Sequence, residues 1–322
     1  MEVREATEDD IPQIVELLRA SLGESLMPKS EAYWRWKHID NPFGRSAVLL
    51  CWEGEKLIGV RAFMRWEWVL HGRVYKSVRA VDTATHPQYQ GKGIFRKLTL
   101  ELVDRCKVLG DQFVFNTPNE QSKPGYLKMG WTEAGRLPIG FVIRRPVNIA
   151  CNLLLSKQGL RNQDTYDRSM LGHPKLHPLL HQAIDESDNL MTNVTVSYLR
   201  WRYEDVPVAS YFVMADQDDR GLNGILIGRA KATRFGLELR VVDCFGTLKG
   251  SIAKERFKKL RESLRIDYMT FSGMIHGVPS SLPTFRLPVG PTVTVRPLAN
   301  DDLGFLANFS KWSPSIGDLE LF

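Results

Sequence analysis

Apolar positions at helical spacing open the chain: Ile11, Ile14, Val15, Leu18 and Leu22 share one face of a helix predicted over residues 9–22. Thr7-Glu8-Asp9-Asp10 supplies its start signal. The period then shortens to that of strands. Residues 46–52 and 56–68 read as a pair joined by the polar turn Glu53-Gly54-Glu55. Residues 78–85 form a further strand that runs through a glycine-bearing turn into a helix from Ile94. Residues 111–116 read as a buried strand, and 122–129 as a short helix closed by Gly130-Trp131.

The second half repeats this order. Tyr33-Trp34-Arg35-Trp36-Lys37-His38-Ile39-Asp40-Asn41-Pro42 is echoed, 165 positions on, by Tyr198-Leu199-Arg200-Trp201-Arg202-Tyr203-Glu204-Asp205-Val206-Pro207. Two strand-like runs follow each copy, 210–215 and 222–233 in the second, and Val81-Asp82-Thr83 finds a partner in Val242-Asp243-Cys244. The pattern predicts a mixed-sheet α/β fold in two tandem units, residues 1–145 and 171–322. The linker over 146–170 holds a short helix to about Leu155 and a polar stretch over 156–167. The bland alternative is a second mixed sheet of unrelated ancestry.

Composition narrows the class. At 322 residues the chain can bury two cores. No apolar run approaches the ~20 residues of a membrane span, the first ten residues are acidic and polar rather than a signal peptide, and Cys51, Cys106, Cys151 and Cys244 are scattered. A cytoplasmic protein is expected, monomer or homodimer, with no membrane or nucleic-acid partner. The net charge of +6, from 43 basic and 37 acidic residues, is spread along the chain and suits a polyanionic small molecule. His173, His177 and His181 lie four apart, but Pro174 and Pro178 are expected to interrupt a helix there, and no metal is predicted.

The chemistry concentrates in the turn after residues 78–85. Gly91 and Gly93 let the backbone approach a bulky anion, and the first turn of the next helix offers unpaired N–H groups and a positive dipole end. The expected ligand group is a pyrophosphate. Arg96 stands where a dinucleotide fingerprint needs its third glycine, and no P-loop run exists.

What remains resembles motif A of the GCN5-related N-acetyltransferases, whose signature is Gln or Arg, two residues, Gly, one residue, Gly or Ala: here Gln88, Gly91 and Gly93. A second match is Asn, seven on to Tyr, four on to Gly-aromatic, filled by Asn119, Tyr126, Gly130 and Trp131. The resemblance implies two acetyltransferase-like domains with acetyl-coenzyme A as acyl donor. Its pyrophosphate would be held by Gln88, Tyr89, Gln90, Gly91, Lys92, Gly93 and Ile94, and its arm by Thr83, Ala84, Thr85 and Asn119. In the family the tyrosine protonates the departing thiolate, which makes Tyr126 the candidate acid; Pro124-Gly125 makes the turn before it irregular. Backbone N–H groups near Thr83 to Thr85 would serve the oxyanion.

The base is less determined. Asp82 is the first candidate, in the strand carrying the thioester, although Asp243 stands at the matching place in the other half. Glu67 acting through a water is another, and His86 reads as structural. The apolar-acidic end from Trp312 to Phe322 is a docking candidate: Asp82-Thr83-Ala84-Thr85-His86-Pro87 is similar to the same stretch in multi-domain proteins of the enhanced-intracellular-survival type, some of which place their terminal carboxylate in the active site. Residues 22–36 are expected to border the acceptor, with Trp34 and Trp36 also readable as core anchors. The second unit lacks the Gln-x-x-Gly-x-Gly turn after Val242-Asp243-Cys244 and is expected to be degenerate. The activity implied is acetyl transfer to a small-molecule amine, an amino sugar or another, by direct attack in a ternary complex. The alternatives are a non-catalytic coenzyme-A-binding sensor or scaffold, and transfer of a longer acyl or aminoacyl group.

Overall fold

Along the second strand, consecutive side chains fall into different cores: Leu49 and Cys51 pack outward, Leu50 and Trp52 inward, the two-residue alternation of a sheet covered on both faces. The computed structural model describes residues 1–23, 28–155, 169–219, 221–248, 250–272, 284–299 and 302–319. The polar stretch expected over 156–167 and the last three residues lie outside them.

In chain order the first half runs β1 (Glu2–Glu5), α1 (Ile11–Leu22), α2 (Glu31–His38), β2 (Ala47–Glu53), β3 (Lys56–Leu70), β4 (Arg73–Thr85), α3 (Ile94–Val108), β5 (Phe113–Asn116), α4 (Lys123–Lys128), β6 (Thr132–Arg136), β7 (Ile139–Ile143) and α5 (Pro146–Leu155). The second runs α6 (Leu176–Asp185), β8 (Met191–Thr192), α7 (Val196–Tyr203), β9 (Phe212–Asp218), β10 (Gly221–Thr233), β11 (Gly236–Gly246), α8 (Ser251–Ser263), β12 (Tyr268–Ser272), β13 (Phe285–Leu287), β14 (Thr292–Pro297) and α9 (Ile316–Leu319). Helix starts follow their caps. Thr7 and Asp10 cap each other's backbone ahead of α1, while Ser30 accepts from the Tyr33 N–H at α2 and Thr195 from the Tyr198 N–H at α7.

Among the described residues the strands make two mixed sheets, ordered β1-β2-β3-β4-β5-β14-β6, with β8 beside β3, and β13-β7-β12-β11-β10-β9. The sheets do not follow the boundaries expected from sequence strand for strand. β7, ahead of residue 145, pairs with β12 in the second sheet, and β14 inserts between β5 and β6 in the first. One core lies between the sheets, α3 covers the outer face of the first, and the outer face of the second has a core of its own built on Leu239, Val241 and Phe257. No helix among the described residues is long and apolar enough to cross a membrane.

The echoed segments meet across the central core. Trp36 and Trp201 are both 4–5 % exposed, their rings stack at 4.8 Å, and their neighbours Tyr33, Trp66 and Tyr198 close the cluster. Trp34 is buried as well, at the His38 ring. The core-anchor reading of both tryptophans therefore holds.

Candidate active site

β4 and β5 pair in parallel only from Ser77–Phe113 to Arg79–Phe115. Beyond Arg79, β4 runs on to Thr85 while β5 stops at Asn116, so the strands part and leave a wedge. A bulge on β4 sits in its mouth: Val81 pairs with Ala62 and Thr83 with Arg61, leaving Asp82 between them with φ of 36°. The bulge shifts the alternation, so that Val81 and Ala84, three apart, both face the central core. Val242 and Phe245 on β11 repeat that step.

The turn expected to seat the pyrophosphate follows at once. Residues 87–89 make a 3-10 turn capped by the His86 ring, which gives that residue a structural part. Gly91 and Gly93 have φ of 76° and 77°, and a Cβ on either would meet no atom within 4 Å. Gln88, Gln90, Gly91, Lys92 and Gly93 are exposed, whereas Ile94 anchors α3 in the outer core. Among the described residues the backbone N–H groups of 91–96 donate to no protein acceptor, as a helix start that binds an anion requires. Lys92 lies over the Tyr89 ring, and so does Lys56, which also donates to Gln88 and which the sequence did not single out. Tyr89 itself is tied to Glu53. Thr85 closes the strand, its carbonyl accepting from Ser21 and Gln90.

α8, at the matching place in the second half, is furnished differently. Its Gly250 N–H donates to Asp216 Oδ2 at 2.7 Å, and a Cβ on Gly250 would meet Asp216 Oδ1 at 2.5 Å. A protein carboxylate already occupies that helix start.

Tyr126 is 3 % exposed, between Phe95 and Trp131, with Pro124 and Gly125 accommodated in the first turn of α4. Its phenol oxygen accepts from Arg61 Nη2 at 2.6 Å. Arg61 is fully buried on β3, also donates to the Val81 carbonyl beside the bulge, and has no carboxylate partner among the described residues. A guanidinium only donates, so the phenol keeps its own hydrogen to give elsewhere. Sequence reasoning missed Arg61 because one arginine within an alternating strand carries no signal of burial. Asn119 spends its carboxamide oxygen on the Ser122 N–H and hydroxyl at the start of α4.

Asp82 Oδ2 accepts from Lys37 Nζ and His38 Nε2, both at 2.9 Å. Burial pushes its carboxyl up, but the Lys37 ammonium and the His38 bond outweigh that and hold it well below the usual carboxylate range. Lys37 is raised despite its burial, through Asp82, while burial keeps His38 below its ordinary value. So held, Asp82 is a poor proton acceptor. Together with Lys29, Ser30 and Tyr33 it lines a cavity of about 30 Å³, room for water. Glu67 is set aside as a base: it accepts from Asn193 and lies six residues along β3 from Arg61, about 20 Å at strand rise.

The C-terminal segment docks at the base of the wedge. Arg79 donates to the carbonyls of Asp318 and Leu319 at 2.5 Å and reaches Thr117 Oγ1; Arg202 holds the Gly317 carbonyl. Burial and then nearby Arg202 lower Arg79 to about 10. Asp318 and Asp243 are both buried here. Desolvation and then Asp318 push Asp243 up to about 8, with Tyr203 bonded to its carboxylate.

Pro178 does not break the helix expected to fail there. It falls in the first turn of α6, where a proline is tolerated, and His177 and His181 align with rings 4.4 Å apart. His173 Nδ1 accepts from the Lys175 N–H, and no group of three ligating side chains occurs among the described residues.

Residues 2–134 match a family model described as an acetyltransferase (GNAT) domain. No curated protein sequence matches the chain. Among solved structures, its fold is similar to that of a GCN5-related N-acetyltransferase from Anabaena variabilis ATCC 29413, with 16% identity and a TM-score of 0.64 over 92% of this chain and 73% of that one. A GCN5-related N-acetyltransferase from Kribbella flavida follows, with 14% identity and a TM-score of 0.59 over 92% and 72%. The N-myristoyltransferase of Saccharomyces cerevisiae with bound myristoyl-CoA gives 9% identity and a TM-score of 0.53 over 91% and 81%.

Proposed function

We propose that this chain, whose residues 2–134 match an acetyltransferase (GNAT) domain model, moves an acetyl group from acetyl-coenzyme A to the nitrogen of a small-molecule amine in a ternary complex. The observation that carries the reading is the open helix start at Gly91 to Arg96, where two left-handed glycines precede backbone N–H groups that, among the described residues, have no protein acceptor. The diphosphate takes those groups and the Lys56 and Lys92 ammoniums, and the pantetheine arm enters the wedge along Thr83 to Thr85.

The amine lone pair then forms the C–N bond at the thioester carbonyl, while N–H groups at the bulge stabilise the oxygen that gains charge. As the C–S bond breaks, Tyr126 protonates the leaving thiolate, and the phenol is restored by the proton the new amide nitrogen sheds. Arg61 acts as a positioning residue: it fixes the phenol oxygen and leaves the hydrogen to the sulfur. Asp82 pins α2 to the bulge through Lys37 and His38 instead of taking the amine's proton.

On this reading the second unit is a degenerate copy. Asp216 fills its anion seat, and the unit supplies a wall of the acceptor cleft.

The test is calorimetry of coenzyme A against the full chain and Gly91→Glu, followed by thiol release with an amine panel. Wild type binds and turns over; Gly91→Glu does neither. Binding without turnover for any amine replaces this reading with a sensor, and unaltered binding in Gly91→Glu removes the proposed seat.

A further inference from the structure

Arg61 is a buried cation that lacks an anion. The residue is fully enclosed beside the wedge, donating through Nη1 to the Val81 carbonyl at 3.3 Å and through Nη2 to the Tyr126 phenol at 2.6 Å. Among the described residues its Nε meets no acceptor and no carboxylate pairs with it. Asp82, at the bulge, is taken by Lys37 and His38. The ring centres of Phe63, Phe95 and Tyr126 lie 4.9, 5.6 and 5.4 Å from the guanidinium carbon and offset part of the lost hydration. A guanidinium keeps its proton, so the rest of that cost stays until an anion arrives.

The second half shows that the fold itself does not require arginine here. Leu226 stands at the matching place, offset by the same 165 positions as Trp201 from Trp36, and pairs with Cys244 as Arg61 pairs with Thr83. It belongs to the outer core of its sheet. An apolar side chain therefore serves where Asp216 fills the anion seat, and a cation stands where the seat is open. On the acyl-transfer reading the diphosphate goes to the start of α3 and the sulfur comes to the phenol. A sulfur in hydrogen-bond reach of that oxygen falls within the ~4–6 Å over which an opposite charge favours an ionised group.

Resting on that reading, we propose that Arg61 is the counter-charge for the ligand's sulfur and that coenzyme A, as product, binds as its thiolate. When the C–S bond breaks, the electron pair stays on sulfur; as Tyr126 gives its proton the charge moves to the phenol oxygen, and the guanidinium lies beside it in either place. Free coenzyme A reaches the same bound state by losing its thiol proton to solvent. Its affinity therefore climbs with pH until the free thiol is itself ionised. Released coenzyme A is then a stronger product inhibitor in alkaline than in acidic medium.

The test is calorimetry of coenzyme A and desulfo-coenzyme A against the full chain, Arg61→Met and Arg61→Lys from about pH 6 to 9, with thiolate absorbance recorded on each complex. We expect wild-type affinity for coenzyme A to rise by at least about tenfold over that range, since an opposite charge so close changes an ionisation constant by about ten- to a thousandfold. Desulfo-coenzyme A should show no such rise, Arg61→Met should abolish it, and Arg61→Lys should restore part of it. Parallel pH curves for the two ligands in wild type, or an undiminished rise in Arg61→Met, overturn the proposal and leave acyl transfer standing. Equal weakening of both ligands by Arg61→Met at every pH assigns the guanidinium to the diphosphate and overturns it too. If the rise and its loss in Arg61→Met are found but acetyl-coenzyme A releases no thiol with any amine, the counter-charge stands and the acyl-transfer reading fails.

Discussion

Trp36 and Trp201 each donate the indole N–H to the other's backbone carbonyl, both at 2.7 Å. The exchange runs between residues 165 apart, on the last turns of α2 and α7, and makes each half complete the hydrogen bonding of the other in the buried core.

Trp201→Phe keeps most of the stacking and removes one of these bonds, leaving the Trp36 carbonyl without its donor. A loss of about 1–3 kcal/mol is expected by denaturant titration. Because the bonds bridge the two halves, the transition should remain single; a separate, earlier transition for residues after 190 would show that the halves are not coupled here.

Tyr126→Phe should lower kcat by about 10²–10⁴-fold with little change in coenzyme A affinity, since it removes a proton donor and no binding surface. Arg61→Met should lower kcat too, and Arg61→Lys should recover part of the loss by still donating to the phenol. Equal kcat in wild type and Tyr126→Phe would assign the tyrosine to packing alone.

The Asp82 ion pair makes a signed prediction. Its folded pKa is depressed, so its contribution is complete above the ordinary carboxylate range, about 3.9, and fades as pH falls toward the folded value. Asp82→Asn should cost on the order of 2 kcal/mol at neutral pH, allowing for partial exposure, with the gap to wild type closing below about pH 4. The acidic limb of kcat should stay where it is; its disappearance in Asp82→Asn would restore this carboxylate as the base.

Asp243 carries the opposite sign. With its folded pKa raised to about 8, the native state holds a proton that the unfolded chain releases, so stability declines as pH climbs from about 4 to 8 and levels off above. Asp243→Asn abolishes that slope. The variant should gain on wild type steadily as pH rises from about 4 to 7, with no difference near pH 4, in melts across that range.

Much of this was readable in the residues. Gln88, Gly91 and Gly93 disclose their turn because only glycine adopts those dihedrals freely, and Tyr126 follows from spacing against Asn119 and Gly130. The tryptophan echo was visible because large aromatic residues are rare enough to stand out. Strand partnership was not. The sequences of β7 and β14 say that they are strands, but nothing local in Ile139–Ile143 or Thr292–Pro297 names a neighbour; pairing depends on which edge is free once the rest has packed. Arg61, Arg79 and the seating of α9 were illegible for a related reason. Their partners are a phenol and backbone carbonyls 65 to 240 residues away, and no short-range pattern encodes such distances.

The exchange of β7 and β14 bears on biogenesis. Among the described residues β5 and β6 pair with β14 and not with each other, so a nascent chain that has just emerged past the turn at Gly91 and Gly93 still has a slot in its first sheet, waiting for a strand about 200 residues from being translated. The ribosome must release nearly the whole polypeptide before either half can close. A chain cut short before β14 therefore leaves facing edges of β5 and β6 without their partner strand.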